Sequence, residues 1–176
     1  MINQKSSTTT QIALKWGMIA SVISVAIALI LHFLKVKETS GTTAENSIFV
    51  FNIVWLVYTI ANALLNFRRN NSGGLTISQA IACGLATSAI WGIFFGIYNY
   101  FFLKYLDNTL INSKINHYRE QLILQGKSSA IIEYELQKVS MLYQPSFMII
   151  IYLGIGVFFG FFISLLLSLF LRKNKS

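Results

Sequence analysis

Acidic residues are scarce in this chain: six Asp and Glu stand against fourteen Lys and Arg, and charged residues of both signs make up 11% of the sequence. Soluble domains carry about 25%. None of the six acids lies inside a long apolar stretch, so a carboxylate proton relay or an intramembrane cation site has no candidate. There is one cysteine, Cys83, which rules out an intramolecular disulfide and a cysteine zinc cluster and leaves a small apolar packing residue. Two isolated histidines, His32 and His117, have no acidic pair beside them to complete a metal site. The sequence has no phosphate-cradling loop, nucleophile elbow or metalloprotease helix motif. Gly73-Gly74 reads as a turn. An enzyme is therefore not expected, and neither a cofactor nor a metal is called for.

What the chain has instead is apolar length. It is 55% hydrophobic with a mean hydropathy of +0.60, and its charges cluster between uncharged runs. Four runs, at about 12–34, 47–67, 76–102 and 147–171, are long enough to cross a bilayer as helices. The first is not read as a secretory signal, because 19 residues separate Lys15 from Lys35, against roughly 7–15 in a signal core. The expectation is an all-α, polytopic membrane protein forming one domain over residues 1–176, with an amphipathic insert at 104–146.

The third run, Thr76 to Phe102, organises the rest. Gly84, Ser88, Gly92 and Gly96 recur every fourth residue and so form one row along a helix. In lipid such a row lets a second helix approach closely enough for van der Waals contact to hold the pair. The fourth run carries Gly156, Gly160, Ser164 and Ser168, and the first carries Ala13, Gly17 and Ser21. Runs one and three also match at constant offset through Thr9/Thr76, Ala13/Ala80, Gly17/Gly84 and Ser21/Ser88. That pattern suits a parallel repeat. Independent selection of small residues at close helix contacts is the plainer explanation.

Arg68-Arg69 and Asn70-Asn71-Ser72-Gly73-Gly74 join runs two and three by a tight turn, making an antiparallel hairpin. Pro145, the only proline, suits the start of the fourth run. In the insert, Ile111, Ile115, Tyr118 and Leu122 make one apolar stripe, and Ile132, Leu136, Val139 and Tyr143 make another. Gly126 can end the first of these helices, and Ser128 or Ser129 can cap the second. The two seams can face each other, the membrane surface or a partner.

Charge sets the orientation. Lys5, Lys15, Arg68, Arg69, Arg172, Lys173 and Lys175 fall on one side with no acid among them, while all six acids fall on the other, in roughly twice the loop length. Basic density near helix ends favours both termini in the cytoplasm and the insert outside. The basic excess flanks apolar runs, so nucleic acid is not expected as a partner. Membrane lipid, a second copy or another membrane protein is. Polar groups inside the runs are few: Asn52, Asn62, Asn66, Asn99 and scattered hydroxyls. Asn62 and Asn66, one turn apart, are the candidates for a polar cavity. Hydrogen bonds to neighbouring helices or to interfacial water are the plainer account of them.

The segment His117-Tyr118-Arg119-Glu120-Gln121, Gln125-Gly126, Pro145 and Phe147, with Ile77-Ser78-Gln79-Ala80 leading to Gly84, resembles a family of small four-helix membrane proteins of Bacteroidetes classed as a domain of unknown function. The resemblance spans nearly the whole chain, although this insert is less acidic than the family pattern. It implies the four-helix architecture and a bacterial inner-membrane location, and no activity. From the residues themselves, a non-enzymatic scaffold or accessory subunit is expected first. A small transporter or channel for an uncharged or anionic solute is expected second.

Overall fold

The computed structural model describes residues 9–34, 43–107 and 109–171, with residues 43–46 as backbone alone. The polar lead before Thr9, the loop from Lys35, and the terminal Arg172, Lys173 and Lys175 lie outside the described residues. The described chain is all helical in its regular structure: α1 (Thr9–Phe33), α2 (Thr43–Asn70), α3 (Ile77–Phe101), α4 (Thr109–Leu124), α5 (Ser129–Leu142) and α6 (Pro145–Leu171). Four of these, α1, α2, α3 and α6, are long and apolar enough to span a membrane, and α4 and α5 lie between the third and fourth. This is the architecture of a multi-pass membrane protein.

The ends of the helices follow from local chemistry. Thr76 caps α3 in a capping box: its hydroxyl accepts from the Gln79 N–H at 3.3 Å, and its own N–H donates to Gln79 Oε1 at 3.0 Å. Gly126 closes α4 with φ +68°, and the N–H of Lys127 donates to Leu122 C=O at 3.2 Å, the crossing bond of a Schellman motif. The same crossing bond closes α2, from the Gly73 N–H to Arg68 C=O at 2.9 Å, with Ser72 in the left-handed region at φ 52°. Ser128 holds the N-cap position of α5, but its hydroxyl makes no capping bond. Pro145 is the first residue of α6, where a missing N–H costs nothing.

Two helices overrun their apolar runs. α2 starts at Thr43 and carries through Arg68 and Arg69, because hydropathy marks the hydrocarbon core whereas the helix continues into the polar interface. α3 continues as a π-helical stretch, Phe102–Leu106, ending where the Asp107 N–H donates to Phe102 C=O at 3.0 Å.

The core sits around α3, which packs most extensively on α6 and next on α1; α2 packs more lightly on all three. α3 and α6 run antiparallel with their small residues facing. A Cβ on Gly92 would lie 2.5 Å from the Tyr152 carbonyl oxygen, and one on Gly96 would lie 2.7 Å from Ile149 Cα. Gly156 abuts the Ser88 backbone oxygen, Gly160 the Ser88 side chain, and Gly84 the Ser164 side chain. The Ala13, Gly17 and Ser21 row of α1 is buried too, with Gly17 against Ile90 and the Thr87 carbonyl of α3. The serines in these rows turn their hydroxyls back onto their own helices, Ser21 to Gly17 at 2.8 Å, Ser88 to Gly84 at 2.9 Å and Ser164 to Gly160 at 2.5 Å. Contact between the rows is thus steric, without hydroxyl bonds across it. The matched rows of α1 and α3 meet different partners, α3 for the one and α6 for the other.

In the insert, Leu122, Ile132 and Leu136 are buried together, with Ile115 and Tyr118 packed on them. The seams of α4 and α5 therefore face each other. Ile123, Leu124, Ile131 and Tyr134 remain exposed.

Candidate functional site

Lipid and protein interior are about equally apolar, so a spanning helix gains little by closing every gap with its neighbours. α2 illustrates this. From Leu56 onward it buries Leu56, Thr59, Ile60, Ala63 and Leu64 completely. Between Ser47 and Trp55 no side chain is fully buried, and Phe49, Val50 and Val54 are all more than half exposed, at 52%, 58% and 61%. The first half of α2 stands off from the bundle, and a cavity of about 640 Å³ opens beside it, walled by α1, α2, α3 and α6 and overlain by the first turns of α4. This volume is in the usual range for small-molecule sites, roughly 300–1,000 Å³.

Helical spacing builds the walls. Ser24, Ala28 and His32 recur every fourth residue on α1, and Phe49 and Ile53 share one face of α2 beside Asn52. Trp91, Phe95, Tyr98 and Phe102 climb α3 next to its glycine row, each ring touching the next at centroid distances of 5.5, 5.8 and 5.6 Å. Tyr152 of α6 meets Phe95 edge-on at 4.9 Å, and His32 meets Phe102 edge-on at 4.9 Å. Such edge-to-face pairs hold aromatic walls in fixed orientation.

Polar groups sit at defined points on this apolar lining. At the deep end the Trp91 indole N–H donates to the Ser24 hydroxyl at 3.0 Å. Asn52 and Asn99 each donate their amide N–H to the carbonyl one turn back, Ile48 at 2.9 Å and Phe95 at 2.8 Å. A carbonyl can only accept, so each Asn must turn its NH2 to it and leave Oδ1 as the remaining acceptor. Asn52 Oδ1 is buried and has no hydrogen-bond partner among the described residues. A buried, unmet acceptor costs about 1–3 kcal/mol. At the mouth, Asp107 accepts from the Thr109 hydroxyl at 2.6 Å and from the N–H groups of Thr109 and Leu110 at 3.1 and 3.3 Å, anchoring the start of α4. Lys114, one turn into α4, also lines the cavity and carries the opposite charge.

Asn62 and Asn66, singled out from the sequence, do not line this cavity, which is at the other end of α2. Asn62 donates to Tyr58 C=O at 2.8 Å. The residues that do, Asn52 and Asn99, are on separate helices, and no spacing within one helix pairs them. The signal that was available is the aromatic series at 91, 95, 98 and 102 directly beside the glycine row. His32 reaches the cavity, whereas His117 is on α4 beside Gln121, 3.1 Å away. Among the described residues no three His, Cys, Asp or Glu side chains come together as a metal site.

No curated protein and no solved structure matches the chain. The family described as "Protein of unknown function (DUF4199)" matches residues 15–173, nearly the full length, and the chain belongs to that family.

Proposed function

We propose that this multi-pass protein is not an enzyme and works by holding a small uncharged molecule in the cavity between its spans, as a carrier or as a ligand-binding accessory subunit. The cavity itself carries the reading. It is large enough for a small molecule, lined by aromatic and aliphatic side chains over much of its wall, and charged only at the mouth, by Asp107 and Lys114 of opposite sign. A charged ligand drawn to the deep end would lose its hydration with nothing ionised there to replace it. The proposed setting is the bacterial inner membrane with both termini cytoplasmic, supported by the acid-free basic cluster of Lys5, Lys15, Arg68, Arg69, Arg172, Lys173 and Lys175. The cavity then opens toward the outer leaflet.

The test is to purify the full chain from its membranes in mild detergent and identify extracted small molecules by mass spectrometry. The same is done for Ala28→Trp and Ile155→Trp, which fill the cavity from two walls. A molecule enriched in the unmodified protein and missing from both variants is the expected result. Identical extracts from all three would overturn the reading.

A scaffold role for the insert is the second reading, favoured by Ile123, Leu124, Ile131 and Tyr134, which stay exposed after the α4–α5 seam has closed. A membrane-protein partner or a second copy would cover that face. Deleting residues 111–144 and comparing co-purified proteins checks it, and an unchanged set counts against the insert as the contact.

A further inference from the structure

We propose that the cavity takes an uncharged, hydroxyl-headed lipid of the monoacylglycerol type, entering sideways from the membrane along the first half of α2; this rests on the cavity-binding reading above. Three observations converge on that class. The first is Asn52. One N–H of its NH2 is held by the Ile48 carbonyl, while its Oδ1 is buried without a hydrogen-bond partner among the described residues. It calls for a donor, which a hydroxyl supplies and an ester, ether or ionised carboxylate does not. Asn99 also lines the cavity and likewise turns its NH2 to a carbonyl one turn back, that of Phe95. The Asn52 acceptor therefore selects a donor head, and a second hydroxyl on that head would have the Asn99 amide to meet.

The second observation is the wall. Trp91, Phe95 and Tyr152 form an interlocked aromatic surface below the two asparagines, with centroid separations of 5.5, 4.9 and 6.4 Å. Such a surface suits a flexible hydrocarbon chain, whose burial is favourable and needs no directional partner. The third is the route. Between Ser47 and Trp55 α2 buries no side chain fully, and Phe49, which lines the cavity, is itself half exposed. The cavity is thus bordered along this part of α2 by side chains that stay exposed. An amphiphile already in the bilayer passes there without crossing water, and the lightly packed turns of α2 are the part of the wall able to give way as the hydroxyl reaches Asn52. An anionic head beside Asn52 would have no ionised group of the cavity's deep lining to replace its hydration, because the charged lining residues, Asp107 and Lys114, sit at the start of α4.

The experiment uses the full chain in lipid nanodiscs with Trp16→Phe and Trp55→Phe, which leaves Trp91 as the only indole. Its fluorescence is titrated with a monoacylglycerol brominated on the acyl chain, and with the matching brominated methyl ester, fatty acid and phosphatidylcholine. Saturable quenching by the monoacylglycerol at about tenfold lower concentration than the methyl ester is expected, the equivalent of one well-made hydrogen bond. Asn52→Leu should abolish that preference while leaving quenching saturable, and Ala28→Phe should weaken quenching by every probe. Unchanged Trp91 emission without probe serves as the fold control for both variants. Equal affinity for monoacylglycerol and methyl ester, or a preference that survives Asn52→Leu, would overturn the hydroxyl assignment. Tighter binding of the fatty acid would overturn the uncharged class. If no lipid quenches saturably, the lipid proposal falls. The broader reading falls only if the extracts of the unmodified and cavity-filled proteins are also identical.

Discussion

The Trp91 indole N–H and the Ser24 hydroxyl, 3.0 Å apart, join α3 to α1 at the deep end of the cavity. Both residues are buried, and the bond fixes the indole plane against which Phe95 and Tyr152 pack. Trp91→Phe keeps the ring surface and removes the donor. Combined with Ser24→Ala in a double-mutant cycle, it should show a coupling of about 0.6 kcal/mol, typical of hydrogen bonds between membrane helices. Steric-trap or detergent-unfolding equilibria give the number. A coupling indistinguishable from zero would mean that ring packing alone positions Trp91.

Two glycines should respond to alanine with opposite sign. A methyl group on Gly92 meets α6 backbone, 2.5 Å from the Tyr152 oxygen and 2.9 Å from Leu153 Cα, so Gly92→Ala must push the helices apart. A cost of about 1–3 kcal/mol is expected. Gly154, in the middle of α6, has nothing within 4 Å of an added Cβ. Gly154→Ala should stabilise by about 0.5–1 kcal/mol through backbone entropy alone. Thermal melts of the two variants in the same detergent decide the sign.

The two Schellman-type turns invite a matched pair of substitutions. Gly126 occupies φ +68° with open space around it, so Gly126→Ala should cost about 1 kcal/mol through conformation and not through a clash. Ser72 holds φ 52° without being glycine, and Ser72→Gly should gain by a similar amount, about 1 kcal/mol. Amide hydrogen exchange in the last turns of α4 and α2 reads each effect locally.

Orientation has a direct chemical test. In a Cys83→Ser background, Lys127→Cys at the turn between α4 and α5 should react with a membrane-impermeant maleimide in intact cells. Ser72→Cys, at the turn between α2 and α3, should react only after permeabilisation. The reverse pattern would place the insert in the cytoplasm.

Spacing and hydropathy alone made much of the fold legible. The four spans follow from uncharged length, the α3 row from residues every fourth place, and the α4 terminus from Gly126. What sequence could not provide was partnership. The rows Ala13/Gly17/Ser21 and Gly84/Ser88/Gly92/Gly96 obey one rule, yet the first lies on α3 and the second on α6. A row of small residues states that something comes close and not which helix does. The cavity was hidden for a related reason. The first half of α2 is as apolar as the second, because lipid and helix select the same side chains. No pattern within α2 marks the turn where it leaves the bundle, and so Asn62 and Asn66, neighbours on one helix, stood out from the sequence more than Asn52 and Asn99, which face one cavity from two.

The face-to-face glycine rows also set the order in which this protein can be assembled. α1, α2 and α3 leave the ribosome first, but the Gly84–Gly96 side of α3 has no cover until α6, which begins only at Pro145, has been inserted. During that interval the nascent chain carries an open small-residue surface of the kind that lets another helix approach closely. Completion of the last span is therefore the step that commits the molecule. A chain cut short before Pro145 would keep the small-residue row of α3 without the α6 backbone that fills it.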